Sequence, residues 1–213
     1  RAHYNGLIPR NPFAQFRITP NVKEREYLTE GEIRQLIEHE FSDATLAFTR
    51  DLFVFACFTA LSFADIRELT TDEIMDVNGE KWIISKRHKT GVPFQVKLLD
   101  IPLQIIGKYR PFQKDNSVFG EINYWNVCKK LKKVISECGI NKQISFHCSR
   151  HTFGTLALSK GMPIESVSRV LGHTNIKTTQ IYAKITTQKL GDDLTAFGNQ
   201  LNQTFGNIKV AGT

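Results

Sequence analysis

FHCSRHTFGTLALSKGMPIESVSRVLGHTNIKTTQIYAK occupies residues 146–184, and its reading decides what the rest of the chain is for. Three histidines, two arginines and a tyrosine lie among short apolar helical patterns. Gly161 and Gly172 stand where helices would stop. Three readings fit. PIESVSRVLGHTNIKTTQIYAKI can be a helix-turn-helix with a glycine at its turn. His147 and His151 are four apart with Cys148 between them, a spacing that zinc tolerates. Or the stretch is an active site in which the Tyr182 hydroxyl attacks an electrophile. No second Cys or His pair has metal-like spacing, so no metal or cofactor is assigned. His147 and Arg150 are three apart and share a helix face. A guanidinium grips two phosphate oxygens while a neighbouring imidazole bonds a third. A phenol with a pKa near 10 is a poor nucleophile unless cations stabilise its anion, and here cations can converge on it.

Lys and Arg number 28 against 21 Asp and Glu, a formal charge of +7 and a pI near 9.3. That excess favours a polyanionic partner, most simply double-stranded DNA; a solvated basic face accounts for the charge equally well. No run approaches the roughly 18 apolar residues of a membrane helix, and no signal peptide precedes the chain, so the expected location is the cytoplasm, at the bacterial nucleoid. The first residue is Arg1, which reads as a fragment. Cys57, Cys128, Cys138 and Cys148 form no CxxC pair and read as thiols of a reducing compartment.

The pattern along the chain is α+β and mainly helical. Residues 1–25 carry prolines and alternating charges and read as a linker. Thr29 and Glu32 make a capping box for a first helix. ATLAFTRDLFVFACFTALS is apolar on most faces and predicts a buried central helix, followed by a short amphipathic helix over FADIRELTTDEI. Asn78–Gly79 is a two-residue hairpin turn and Thr90–Gly91 a second one, so residues 74–99 predict a small three-stranded antiparallel sheet. Helices follow over PLQIIGKYR, over INYWNVCKKLKKVISECG, through the opening stretch to about Ile185, and over LGDDLTAFGNQLNQ.

HCSRH followed by LGHTNIKTTQIYAK resembles the tyrosine recombinases, the integrases of phages and mobile elements. YLTEGEIRQLI resembles the first helix of that family's catalytic domain, and KTG its hairpin lysine. The resemblance implies a catalytic domain over 26–186, preceded by a linker from an upstream DNA-binding domain and followed by a C-terminal helix and tail, 187–213, that neighbouring protomers exchange. It implies that Tyr182 attacks the scissile phosphate to give a 3′-phosphotyrosyl link. Arg150, with His147 and His173, would hold the phosphate oxygens, and Lys89 would protonate the leaving 5′ oxygen. No metal or nucleotide is required. Lys129, Lys130, Lys132 and Lys133, together with His151, are candidates for DNA contact, against the plainer reading of a solvated helix face.

One motif departs from the family. Where it carries TGLR, this chain has TALS, and Ser62 stands in the arginine's place. A serine brings no charge, and a lost phosphate clamp costs several kcal/mol of transition-state stabilisation. Arg87 is the candidate replacement, since on a strand it would share a face with Lys89; the rival is an ordinary exposed strand residue. Arg67 is the next cation in line. Asp65 resembles the family's acidic residue that orients a neighbouring cation. Serine in this motif with an arginine before the hairpin lysine resembles integrases of Bacteroides-type conjugative elements.

The function expected is therefore site-specific recombination that integrates and excises a mobile element, with four protomers on two duplexes and an isolated domain that is monomeric. The alternatives are a helix-turn-helix regulator and a recombinase fold impaired by Ser62.

Overall fold

The computed structural model describes residues 4–6, 8–9, 26–89, 91–113, 115–182 and 187–206. Residues 1–25, the expected linker, lie almost wholly outside them. The elements run α1 (Glu30–Glu38), α2 (Ala44–Thr59), α3 (Phe63–Arg67), β1 (Ile74–Val77), β2 (Glu80–Lys86), β3 (Pro93–Lys97), α4 (Asp100–Tyr109), α5 (Tyr124–Glu137), α6 (Cys148–Ser159), α7 (Ile164–Leu171), α8 (Lys177–Gln180) and α9 (Thr187–Phe205). The fold is α+β, mainly helical, with one small antiparallel sheet.

The domain is built around α2. Leu52 to Cys57 are consecutive and all buried, so this helix shows no polar stripe and must be surrounded. α1, α4, α5 and α6 pack on it. Edge-to-face ring pairs lock it in place, with Phe53 on Phe146 at 5.9 Å and Phe55 on Phe119 at 5.0 Å. The capping box at Thr29 is formed in both directions, Glu32 accepting from the Thr29 N–H at 2.7 Å. The Leu28 N–H donates to Thr152 Oγ1 at 3.0 Å, which ties the start of α1 to α6. Arg50 Nη1 bonds the carbonyls of Leu36, Ile37 and His39 at the other end of α1, groups a helix terminus otherwise leaves without donors.

The three strands lie in sequence order, with Ile74 opposite Ile83 and Ile83 opposite Val96. Asn78 and Gly79 both have positive φ, 54° and 79°, as the two-residue turn demands. Ile83, Phe94 and Val96 bury one face against the helices.

Two segments differ from the sequence reading. The helix expected over FADIRELTTDEI stops at Arg67; residues 71–73 form one 3-10 turn and Ile74 already belongs to β1. Of the helix expected over IKTTQIYAKI, the described residues form a single turn, Lys177–Gln180, with Tyr182 in the turn that follows; residues 183–185 lie outside them. Ile176, Thr178, Thr179 and Ile181 are β-branched and weak helix formers. This overturns the helix-turn-helix alternative, because α8 is too short to cross a major groove as a recognition helix.

Candidate active site

The site forms where the C-terminal end of α2, the start of α3, the β2–β3 turn, α6 and the end of α7 meet. Ala60 caps α2 in the left-handed region at φ 55°, at the position where the TGLR motif carries glycine. The turn aims the Ala60 carbonyl at two guanidinium groups. Arg150 Nη1 donates to it, and Arg87 Nη1 lies 3.5 Å from it. The carbonyls at the C-terminal end of α7 take the other donors, Leu171 O from Arg150 and Val170 O from Arg87. A helix C-terminus carries partial negative charge, so this is a natural seat for two cations.

Arg87 is not the exposed strand residue of the rival reading. It is 6% exposed, and it lies one residue past β2, in the turn, where alternation no longer fixes side-chain direction. Lys89 is exposed on the same turn. The two do not share a face, which corrects the strand argument. Thr90 lies outside the described residues. The Arg87 guanidinium stacks over the Phe94 ring at 4.1 Å and pairs with Asp65 Oδ2 at 2.9 Å. Asp65 is the hub of the region. Its Oδ2 also accepts from Ser62 Oγ at 2.8 Å and Ser62 N at 3.0 Å, and its Oδ1 from His88 N at 2.9 Å. Burial raises the Asp65 carboxyl, but the His88 and Ser62 bonds and the Arg87 charge outweigh it and hold the group below the ordinary carboxylate range.

Ser62 is thus the N-cap of α3 and shares one carboxylate oxygen with Arg87. The charge missing at Ser62 is present two hydrogen bonds away. Arg67 is turned to solvent and pairs with Glu68 at 2.8 Å, outside this cluster. Burial, and then the neighbouring Arg87, lower Arg150 to about 10, so Arg150 remains charged at neutral pH; burial lowers Arg87 too, against the pull of Asp65.

Tyr182 is half-buried beside them. Its ring lies 5.2 Å from His151, edge-on, and 6.5 Å from His173, nearly parallel. His147 meets His151 at 5.1 Å. His151 is 7% exposed, so it supports the pocket wall and does not stand among the surface lysines. His173 Nδ1 contacts Thr179 Oγ1 at 2.9 Å. Thr179 is fully buried, and no local motif marks its part. Burial, then the charges of Arg150 and Arg87, lower His173 to about 4, so its ring is neutral at physiological pH. Gly172 caps α7 at φ 68°, and a Cβ there would sit 3.0 Å from Arg87 Nε; glycine serves both the turn and the arginine's passage. Lys129, Lys132 and Lys133 are exposed on α5, Lys130 half-buried, and Lys133 reaches Glu137 at 3.5 Å. Among the described residues no three metal-ligating side chains are grouped, and no helix is long and apolar enough to cross a membrane.

The fold gathers an arginine pair, three histidines and Tyr182 in one region of a mainly helical domain, and the sequence assigns the class: the phage integrase family profile matches residues 26–189. The chain belongs to that family. It is 32% identical over 136 residues to the tyrosine recombinase XerA of Pyrococcus horikoshii, covering 59% of this chain and 47% of that protein. A tyrosine recombinase of Thermosipho africanus is 25% identical over 195 residues, 88% of this chain and 68% of that protein. The chain therefore spans about half of the first relative's length. Among solved structures, the Tn1549 transposon integrase in complex with a circular intermediate DNA superposes with a TM-score of 0.74 at 17% identity, over 92% of this chain and 74% of that one; this is a likeness of fold.

Proposed function

We propose that this chain is the catalytic domain of a site-specific DNA recombinase that cuts and rejoins strands through Tyr182. The observation that carries the reading is the convergence of Tyr182 with Arg150, Arg87, His147 and His173 around one half-buried wall. The Tyr182 oxygen attacks the scissile phosphorus as its proton passes to His147, a new O–P bond forms to the 3′ side, and the bond to the 5′ oxygen breaks. Arg150 and Arg87 meet the charge that develops on the equatorial oxygens, with Arg87 standing in for the arginine that Ser62 replaces. His147 reaches the phosphate from the exposed start of α6. His173, being neutral, offers a hydrogen bond rather than charge. Lys89, exposed on the β2–β3 turn, protonates the leaving 5′ oxygen. The phosphotyrosine keeps the bond energy, so the reverse attack religates without a nucleotide.

The net charge of +7 suits double-stranded DNA, and Lys129, Lys130 and Lys133 are the candidate phosphate contacts. The solved Tn1549 integrase holds a circular intermediate DNA, and the serine-with-arginine pattern of Ser62 and Arg87 supports a mobile-element integrase. Leu194, Phe197 and Leu201 are exposed on one side of α9, as an exchanged helix requires before it meets a neighbour; four protomers would assemble on two duplexes, within the cytoplasm.

A DNA duplex nicked near the cleavage site loses the short strand end and traps the covalent intermediate. The chain should form a protein–DNA adduct on it, and Tyr182→Phe should form none while binding DNA about as well. An adduct that survives Tyr182→Phe refutes the assignment. Arg87→Ala should slow adduct formation by about 100-fold or more, the effect of one lost preorganised donor, and Ser62→Ala far less.

A further inference from the structure

The site-facing side chains of α6 recur at His147, Arg150 and His151, which are positions i, i+3 and i+4 of one helix face. The next position of that face, i+7, is Gly154. It is a buried glycine in the middle of a helix, where glycine weakens the helix relative to alanine. Its φ is ordinary, so the backbone does not require it. The space beside it does. A Cβ built on Gly154 would lie 2.8 Å from Tyr182 Cδ2 and 3.0 Å from Cε2 and Cγ. The Tyr182 ring thus occupies the volume that a side chain at 154 would fill.

We propose that Gly154 is a positioning residue for Tyr182: its bare Cα is the floor on which the nucleophile's ring rests. The proposal rests on the reading of Tyr182 as nucleophile. His151 meets the ring edge-on and His173 lies nearly parallel to it, while the helix backbone at Gly154 sets its height above α6. Unlike the two histidine side chains, that backbone cannot rotate away. Carbon–carbon contacts relax to about 3.5–4.0 Å, so a methyl group at 154 would push the ring outward by roughly 0.7 Å or more. Misplacing a reacting group by about 1 Å costs on the order of 100-fold in rate. The hydroxyl would be carried outward with the ring, while the helix beneath it gained propensity.

The experiment compares Gly154→Ala with the parent chain in two backgrounds, Tyr182 and Tyr182→Ala, by thermal melting, DNA affinity and single-turnover adduct formation on the nicked duplex. With Tyr182 present, Gly154→Ala should cut adduct formation by tenfold to 100-fold, with DNA Kd within about twofold. In the Tyr182→Ala background, where no ring stands above the helix, the same substitution should raise Tm. With the ring present it should lower Tm or leave it flat. Full adduct formation by Gly154→Ala overturns the proposal. So does an equal Tm change in both backgrounds, which would make Gly154 a residue of the fold alone. If the parent chain itself forms no adduct, the recombinase reading fails; the melting comparison then still decides whether ring and glycine are coupled.

Discussion

The larger apolar cluster of this domain wraps α2 and takes in α1, α4, α5 and the inner face of the sheet. The smaller one joins only Ala60, Val167 and Leu171, with Phe153, Ala157, Met162 and Tyr182 packed around them. α6 runs along both. The cations and the proposed nucleophile divide between these regions: Arg150 and Arg87 are anchored at the seam by backbone carbonyls, Arg87 also by Asp65, while Tyr182 hangs from the thin region after a one-turn helix. Charge that must be preorganised is held where reorganisation is costly. The tyrosine, which on the proposed reading has to reach a phosphorus and later return, is held in the thinner region, where fewer contacts oppose its movement. The difference in packing is therefore a difference in role.

The largest expected effect tests the thick region. Phe55 is fully buried, and Phe55→Ala should lose about 3–5 kcal/mol of global stability, read as a lower urea midpoint. If the loss were under about 1 kcal/mol, α2 would not be the centre of the fold.

Next comes the seam. Asp65→Ala removes the only carboxylate bonded to the buried Arg87 among the described residues, and a buried charge left without its partner costs about 3 kcal/mol. Arg87 keeps its carbonyl partners, so the chain should still fold, but the guanidinium loses its orientation. Cleavage should fall with stability. A variant that melts early yet cleaves normally would separate the Asp65–Arg87 pair from the chemistry.

A smaller effect follows from protonation. The folded chain holds His173 at about 4, against 6.5 ordinarily. Between those values the unfolded chain takes up a proton that the folded chain refuses, so stability falls as pH drops through that window and is unaffected above it. Asp65, held below its ordinary range, titrates beneath the window. Urea midpoints taken from pH 7 to pH 4.5 should decline, and His173→Gln should flatten the decline. An unchanged slope in that variant would mean that His173 is not shielded in the folded state.

How far the sequence could be read follows the same division. The thick region was legible because its signals are local. The capping box at Thr29, the apolar run of α2 and Asn78–Gly79 each specify their own backbone, and the three-stranded sheet followed from its turns. The candidate site residues came as a set through the family resemblance that HCSRH, LGH and Tyr182 carry. Side-chain direction at the seam was not legible. Period-two alternation placed Arg87 and Lys89 together, but β2 ends at Lys86, and the direction of Arg87 is set by Asp65, twenty-two residues away in sequence. The length of α8 was misjudged because glycine stops were weighed and the β-branched run was not. Thr179 and the Ala60 carbonyl carry no sequence mark; only the fold brings them to the histidine and the arginines.

The smallest expected effect lies at the hinge between the regions. Ala60 holds a left-handed backbone at φ 55°, which costs an L-residue about 1–2 kcal/mol. Glycine would relieve that strain. Its gain is opposed by the loss of a fully buried methyl, worth about 0.8 kcal/mol, and by the greater freedom of glycine in the unfolded chain, worth about 0.4–1 kcal/mol. The terms nearly cancel, so Ala60→Gly should shift stability by no more than about 0.5 kcal/mol. Denaturant midpoints measure it directly. A clear stabilisation would mean that the backbone strain outweighs the packing of the Ala60 methyl against Val167 and Leu171. A loss above about 1 kcal/mol would mean the reverse, that the methyl packing at the hinge is what holds the thin region to α2, and that the carbonyl shared by the two arginines stays in place because that methyl is gripped.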